Sequence, residues 1–313
     1  MNKELRYRGR IAQTGIYLRK LLRMFVYQSD WKVLPMAALI ANLVTFVVGR
    51  NIFRTQEGTL TGCFAVVCVC VWNGFFNSIQ VVCRERAIVK RDHRSGMHIS
   101  SYIAAHMIYQ MLLCFAQTVI LLFICKQTGV HFPKEGLITE HFMVDIGISL
   151  FLITYAADML SLFISCIVHN TTTAMTVMPF MLIFQLVFSG GMFSLDGIAK
   201  KMSVLTITKW GLENVCSLGD YNNLPMVTLW NTIWKFRSMD IDGQKPVKMI
   251  TDYILKNNMR DQLLQESGQY NMNPAYLHTA ENVMMSWGIL IVMALLFALA
   301  AMIVLEFIDN DKR

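Results

Sequence analysis

Six stretches of this 313-residue sequence are each apolar for about the 20 residues that a helix needs to cross a bilayer. They cover residues 31–48, 62–83, 101–125, 144–168, 174–193 and 283–307. Irregular backbone cannot face lipid, and the alternating pattern of a membrane β-barrel is missing, so each run reads as a helix. Only 16% of the residues are charged, against about 25% in an average soluble domain, and 55% are hydrophobic. The fold class is therefore an all-α polytopic membrane protein.

The charges sort by loop. With the N-terminus inside, residues 1–32, 84–94, 169–173 and the last residues hold fifteen Lys and Arg. The two short loops on the other side hold four: Arg50, Arg54, Lys126 and Lys134. Basic loops stay in the cytoplasm, so both termini are expected there. The net charge of +7 is explained by this asymmetry, and no nucleic-acid partner is implied. No cleavable signal peptide is read behind the basic N-terminus.

Residues 13–28 interleave Ile16, Leu18, Leu21, Leu22, Phe25 and Val26 with Arg19, Lys20 and Arg23. This is a basic amphipathic helix suited to an anionic membrane face. Residues 194–281 carry nine basic and nine acidic residues and fall outside. Within them, 194–217 reads as a re-entrant helical pair and 220–273 as a small, mostly helical external domain.

Catalytic signatures are sparse. No phosphate-binding loop of the G-x-x-x-x-G-K-[ST] type and no H-E-x-x-H occurs. His93 and His98 lie five apart in a basic loop, a poor metal site, and no metal is expected. The eight cysteines show no zinc spacing and read as buried thiols. Asp158 falls near the middle of the fourth span, where an ionisable residue is costly. Asp145, at the outer end of the same span, cannot partner it as a protease dyad. A hydrogen bond to Thr, Ser or Tyr, such as Tyr155, is the expectation for Asp158.

Between the second and third spans, eight of the eleven residues from Arg84 to Arg94 are charged or His. This stretch reads Glu85-Arg86, Arg91-Asp92-His93, Gly96-Met97 and then Ser101-Tyr102. It resembles the segment after the second helix of ABC exporters of the G subfamily and their bacterial type-2 permease relatives. Phe188-Ser189-Gly190 is similar to the family's Phe-Ser-Gly, and Lys209-Trp210-Gly211-Leu212-Glu213 to its basic–aromatic–small turn. The resemblance covers essentially the whole chain.

It implies a half-transporter that performs no chemistry itself. Residues 1–30 would be an amphipathic connecting helix. Residues 31–193 would hold five spans, with a coupling helix at 84–100. Residues 194–282 would hold the re-entrant and external parts, and 283–313 the last span and a cytoplasmic tail. The implied coupling residues are Glu85, Arg86, Arg91, Asp92, His93, Arg94, Gly96 and Met97. The implied partners are an ABC ATP-binding subunit, a second permease subunit (identical or not) and the lipid membrane. Family members of the G type usually carry the ATP-binding domain on the same chain, before the membrane part. Here about 30 residues precede the first span, so the ATPase, with its ATP and Mg, is expected on a separate polypeptide, as is common in bacterial exporters. The expected location is a bacterial plasma membrane.

The resemblance also places a substrate path where the second and fifth helices of two subunits meet. Its residues would be Trp72, Asn73, Phe76, Asn77 and Gln80, with Phe180, Met181, Phe184 and Phe188. Aromatic rings, soft sulfur and a few amides suit a hydrophobic or amphiphilic solute, lipid or peptide. Ordinary helix packing is the competing reading of the same residues. Met192 and Phe193 would form the outer gate that bulky residues make in the family. From a different class, a non-transporting scaffold or sensor reading a ligand through 220–273 is the alternative.

Overall fold

The computed structural model describes residues 9–27, 30–191, 193, 195–241 and 244–307. Among them are thirteen α-helices and no strand. In order these are α1 (Arg10–Tyr27), α2 (Val33–Val48), α3 (Gln56–Ser78), α4 (Val81–Arg94), α5 (Ile99–Gln127), α6 (Phe142–Ile167) and α7 (Thr171–Val187). After them come α8 (Gly197–Ser203), α9 (Ile207–Leu218), α10 (Thr228–Lys235), α11 (Pro246–Lys256), α12 (Arg260–Tyr270) and α13 (Ala280–Glu306). Five runs are long and apolar enough to cross a membrane: residues 30–51 around α2, residues 56–94 through α3 and α4, then α5, α6 and α13. The chain is an integral membrane protein.

The sixth expected span is α7, and it differs from the sequence reading. It has 17 residues, carries Pro179 inside and stops at Val187 rather than reaching residue 193. The stop has a local cause. Ser189 folds its hydroxyl back onto the Leu186 carbonyl (2.7 Å), and Gly190 takes φ 77°, a left-handed conformation that a helix cannot continue through.

The second span also differs. Thr55 caps α3 by accepting from the Gly58 N–H, so the helix begins six residues before 62. At the other end it breaks only at Ile79 and Gln80, then resumes as α4 through Arg94. The charged stretch is a helix of 14 residues, Val81–Arg94, so the helix expected over 84–100 begins three residues earlier and ends at Arg94.

α6 lies at the centre, against α3, α13, α9 and α5. Its buried face includes Leu150, Ile153, Ala156, Ala157 and Met159. Gly74 lets α3 come close: a Cβ there would sit 2.5 Å from the Thr154 carbonyl oxygen and 2.7 Å from the Asp158 nitrogen. Small residues that bring backbones together are the usual glue between helices in lipid.

α9 is drawn into the same core, with Ile207, Leu212, Val215, Cys216 and Leu218 buried. The Gln185 side chain of α7 accepts from the Ile207 N–H (2.9 Å), and the Thr208 hydroxyl donates to the Gln185 carbonyl. A side chain from one helix thus satisfies the free donors that begin another. At the same end of the bundle, Glu57 on α3 accepts from the Val227 (3.0 Å) and Thr228 (2.7 Å) N–H groups, which holds α10 over the start of α3.

Candidate functional site

α1 lies beside the first turns of α5 and runs in the same direction. Gln13 Oε1 accepts from the His98 N–H (2.9 Å), Tyr17 meets Tyr102 edge-on (5.6 Å), and Phe25 meets Tyr109 (6.4 Å). α4 runs back past α1 in the opposite direction. Lys20 Nζ reaches Glu85 Oε2 at 2.8 Å, and the Tyr17 hydroxyl donates to Asp92 Oδ2 at 3.1 Å. Gln13 Nε2 closes the end by donating to the Gly96 carbonyl (3.3 Å). Burial and the neighbouring Asp92 keep the Tyr17 hydroxyl protonated well above its usual range, so it serves as a donor throughout ordinary pH.

The eight residues assigned to coupling from sequence divide into two groups. Glu85 and Met97 are buried. Arg86 Nη1 donates to the Cys166 (2.7 Å) and Val168 (3.3 Å) carbonyls, satisfying the last acceptors of α6. Asp92 bonds to Tyr17 and also to Arg91 (3.2 Å), and His93 Nδ1 lies 3.2 Å from the Met97 carbonyl. Gly96 turns the chain at φ 96°. These six face the rest of the chain. Only Arg91 and Arg94 lie on the exposed face, together with Ala87, Ile88, Ser95 and His98. Ile88 is 41% exposed among charges, and sequence reading missed it. The signal was available, since 84, 87, 88, 91, 94 and 95 follow the spacing of one helix face.

The expected path residues also separate. Trp72 and Phe76 stack at 6.2 Å on an exposed face of α3, and Phe180 is exposed on α7. Phe184 and Phe188 are in contact at 4.9 Å and half-buried, as is Met181. Asn73 and Asn77 instead point into the subunit and are buried. Asn77 and Gln117 exchange amide hydrogen bonds in both directions at 2.9 Å. Gln80 sits at the break between α3 and α4.

Asp158 joins this inner cluster. Its Oδ2 accepts from Cys114 Sγ (3.3 Å) and, more distantly, from Asn77 Nδ2 (3.5 Å), with Ser78 beside it. Tyr155, the example partner expected from sequence, donates to the Met107 carbonyl (3.4 Å) instead. Asp145 accepts three backbone N–H groups from Leu137, Ile138 and Thr139 (2.8–3.1 Å) and so pins the loop before α6.

At the far end of α7, Phe193 is exposed. Met192, the other expected gate residue, lies outside the described residues. Gly191 is pressed against Phe64 of α3 and Leu212 of α9, where a Cβ would come within 2.8 Å of Phe64 and 2.7 Å of Leu212.

Part of the chain is similar to the ABC transporter ATP-binding/permease protein Rv1747 of Mycobacterium tuberculosis, at 28% identity over 148 residues. The match covers 45% of this chain and 16% of that much longer protein. Residues 15–218, from the amphipathic α1 through the first four long apolar runs and α7 to the end of α9, match the ABC-2 type transporter family. A family match over most of the chain, on a bundle of this composition, makes the protein a member of the ABC-2 type transporter family and a membrane component of transport.

Proposed function

We propose that this chain is the permease subunit of an ATP-driven exporter, paired with a second permease subunit and driven by an ATP-binding partner. The two termini and the α1–α4 end lie in the cytoplasm, following the fifteen-to-four distribution of basic residues. The cargo is a hydrophobic or amphiphilic solute, a lipid or a peptide. It moves along the aromatic faces of α3 and α7 carrying Trp72, Phe76, Phe180, Phe184 and Phe188.

One observation carries this reading. α4 presents Ala87, Ile88, Arg91 and Arg94 outward, while its opposite side is held to α1 by Glu85 and Asp92 and to α6 by Arg86. A surface that a partner can push is thereby fixed to the helix at the centre of the bundle. An apolar anchor among cations is the composition expected of a protein contact, whereas a simple positive anchor has no use for Ile88.

The test is co-expression with a candidate ATP-binding subunit from the same source, comparing the unchanged chain with Ile88→Asp and Arg91→Glu. Both variants should leave the permease folded, weaken capture of the partner at least tenfold and lower nucleotide-dependent transport in parallel. Unchanged capture and unchanged transport in both variants would remove α4 as the contact.

A further inference from the structure

A cavity of about 210 Å³ opens where α1, the start of α2, the α3–α4 break, α5 and the start of α7 meet. Its walls are of two kinds. Leu21, Met24, Val33, Phe76, Leu113 and Met175 make an apolar side. Asp30, Gln80, Arg84, Glu85, His106 and Tyr109 make a polar one.

The polar side has unspent chemistry. Glu85 is neutralised by Lys20 at 2.8 Å. Asp30 and Arg84 form no ion pair with a described residue, which leaves one fixed anion and one fixed cation in the same wall. His106 is fully buried in this wall, and neither ring nitrogen has a hydrogen-bond partner among the described residues. A buried imidazole without a partner is costly, and a bound polar group would relieve it.

We propose that this cavity binds the headgroup of a zwitterionic phospholipid taken from the leaflet beside α1. The phosphate would meet Arg84, with His106 as a further donor, and the ammonium would meet Asp30. A purely anionic or purely cationic headgroup would leave one of the two charges facing its own sign. The volume is below the range of about 300–1,000 Å³ typical for a drug-sized ligand, so a headgroup fits and a whole lipid does not. The acyl chains would pass out along Phe76, Leu113 and Met175 into the bilayer. Phe76 belongs both to this cavity and to the proposed path, so the headgroup would sit at the entrance of that path. In that respect the inference rests on the transport reading, although binding itself needs no transport.

The experiment is native mass spectrometry of the full chain in mild detergent, without nucleotide or partner subunit, so its outcome is independent of coupling. The probes are phosphatidylethanolamine, phosphatidylglycerol and water-soluble phosphoethanolamine. One phosphatidylethanolamine per chain should be retained, at least fivefold more than phosphatidylglycerol. Arg84→Gln, at an exposed position, should lower retention of both lipids at least fivefold while the thermal unfolding of the chain stays unchanged. Asp30→Asn should bring the two lipids to parity. Equal retention of both lipids by the unchanged chain, or no effect of Arg84→Gln, would overturn the proposal. Displacement of the lipid by millimolar phosphoethanolamine would overturn the membrane as the source of the ligand.

Discussion

Lys20 of α1 and Glu85 of α4 meet at 2.8 Å, 65 residues apart in sequence, with the Glu85 side chain 11% exposed and the Lys20 side chain 36% exposed. A carboxylate that is nearly buried needs its partner, whereas the partially exposed ammonium keeps some of its hydration. The pair therefore docks the amphipathic helix in one register against α4.

Lys20→Met should destabilise the protein more than Glu85→Gln, because it strands the nearly buried Glu85 carboxylate, whereas Glu85→Gln strands only the partly hydrated Lys20 ammonium. The expected loss is about 1–2 kcal/mol for Lys20→Met, reduced from the buried-pair range by solvent screening at the lysine. The exchange Lys20→Glu with Glu85→Lys should recover at least half of it. Thermal unfolding in detergent, followed by intrinsic fluorescence, measures all three.

Gly74→Val should prevent α3 from seating on α6. The Cβ alone would collide with two backbone atoms of α6, and backbone cannot rotate aside as a side chain can. Overpacking of this kind costs about 1–3 kcal/mol or more. The expected readout is loss of the monodisperse peak in size-exclusion chromatography, while Gly288→Val on α13, where a Cβ has open space, should leave that peak unchanged.

Gln117→Leu should remove two hydrogen bonds at once, since Asn77 and Gln117 donate to each other. Interhelical hydrogen bonds in lipid average about 0.6 kcal/mol, so a loss of about 1–2 kcal/mol is expected, including the cost of leaving Asn77 Oδ1 without its donor. The double change Asn77→Leu with Gln117→Leu should be less damaging than the sum of the single changes. A double-mutant cycle by thermal unfolding measures this.

Arg86→Ala should uncover the last carbonyls of α6, and Arg86→Lys should restore part of the loss. A guanidinium can offer donors to the Cys166 and Val168 carbonyls from one rigid plane, while an ammonium cannot match that geometry. Hydrogen exchange of α6 near Ile167 should rise in the alanine variant and rise less in the lysine variant.

The spans and the amphipathic lead-in were legible because they rest on composition and local period. The charged stretch was legible as a helix between two spans, but not in its orientation. Glu85, Arg86 and Asp92 look alike in sequence to Arg91 and Arg94, and only the docking of α1 and the end of α6 turn the first three inward. Ile88 was hidden for the converse reason, since an apolar residue at a helix period reads as core until its face is seen to be uncovered. The length of α7 was misread because residues 188–193 are apolar enough to continue a helix. The bend at Ser189 and Gly190 is a backbone event that hydropathy does not register. Asp158 showed its burial in sequence, but its thiol and amide neighbours come from α5 and α3, at separations of 44 and 81 residues.

The short α7 also has a consequence for the lipid around it. Seventeen residues rise about 26 Å, less than the hydrocarbon thickness of about 30 Å. A helix this short is accommodated by local thinning of the bilayer, by snorkelling of flanking side chains or by cover from a neighbouring helix. The surroundings of α7 therefore differ from those of the five longer apolar runs, each of which has at least 22 residues.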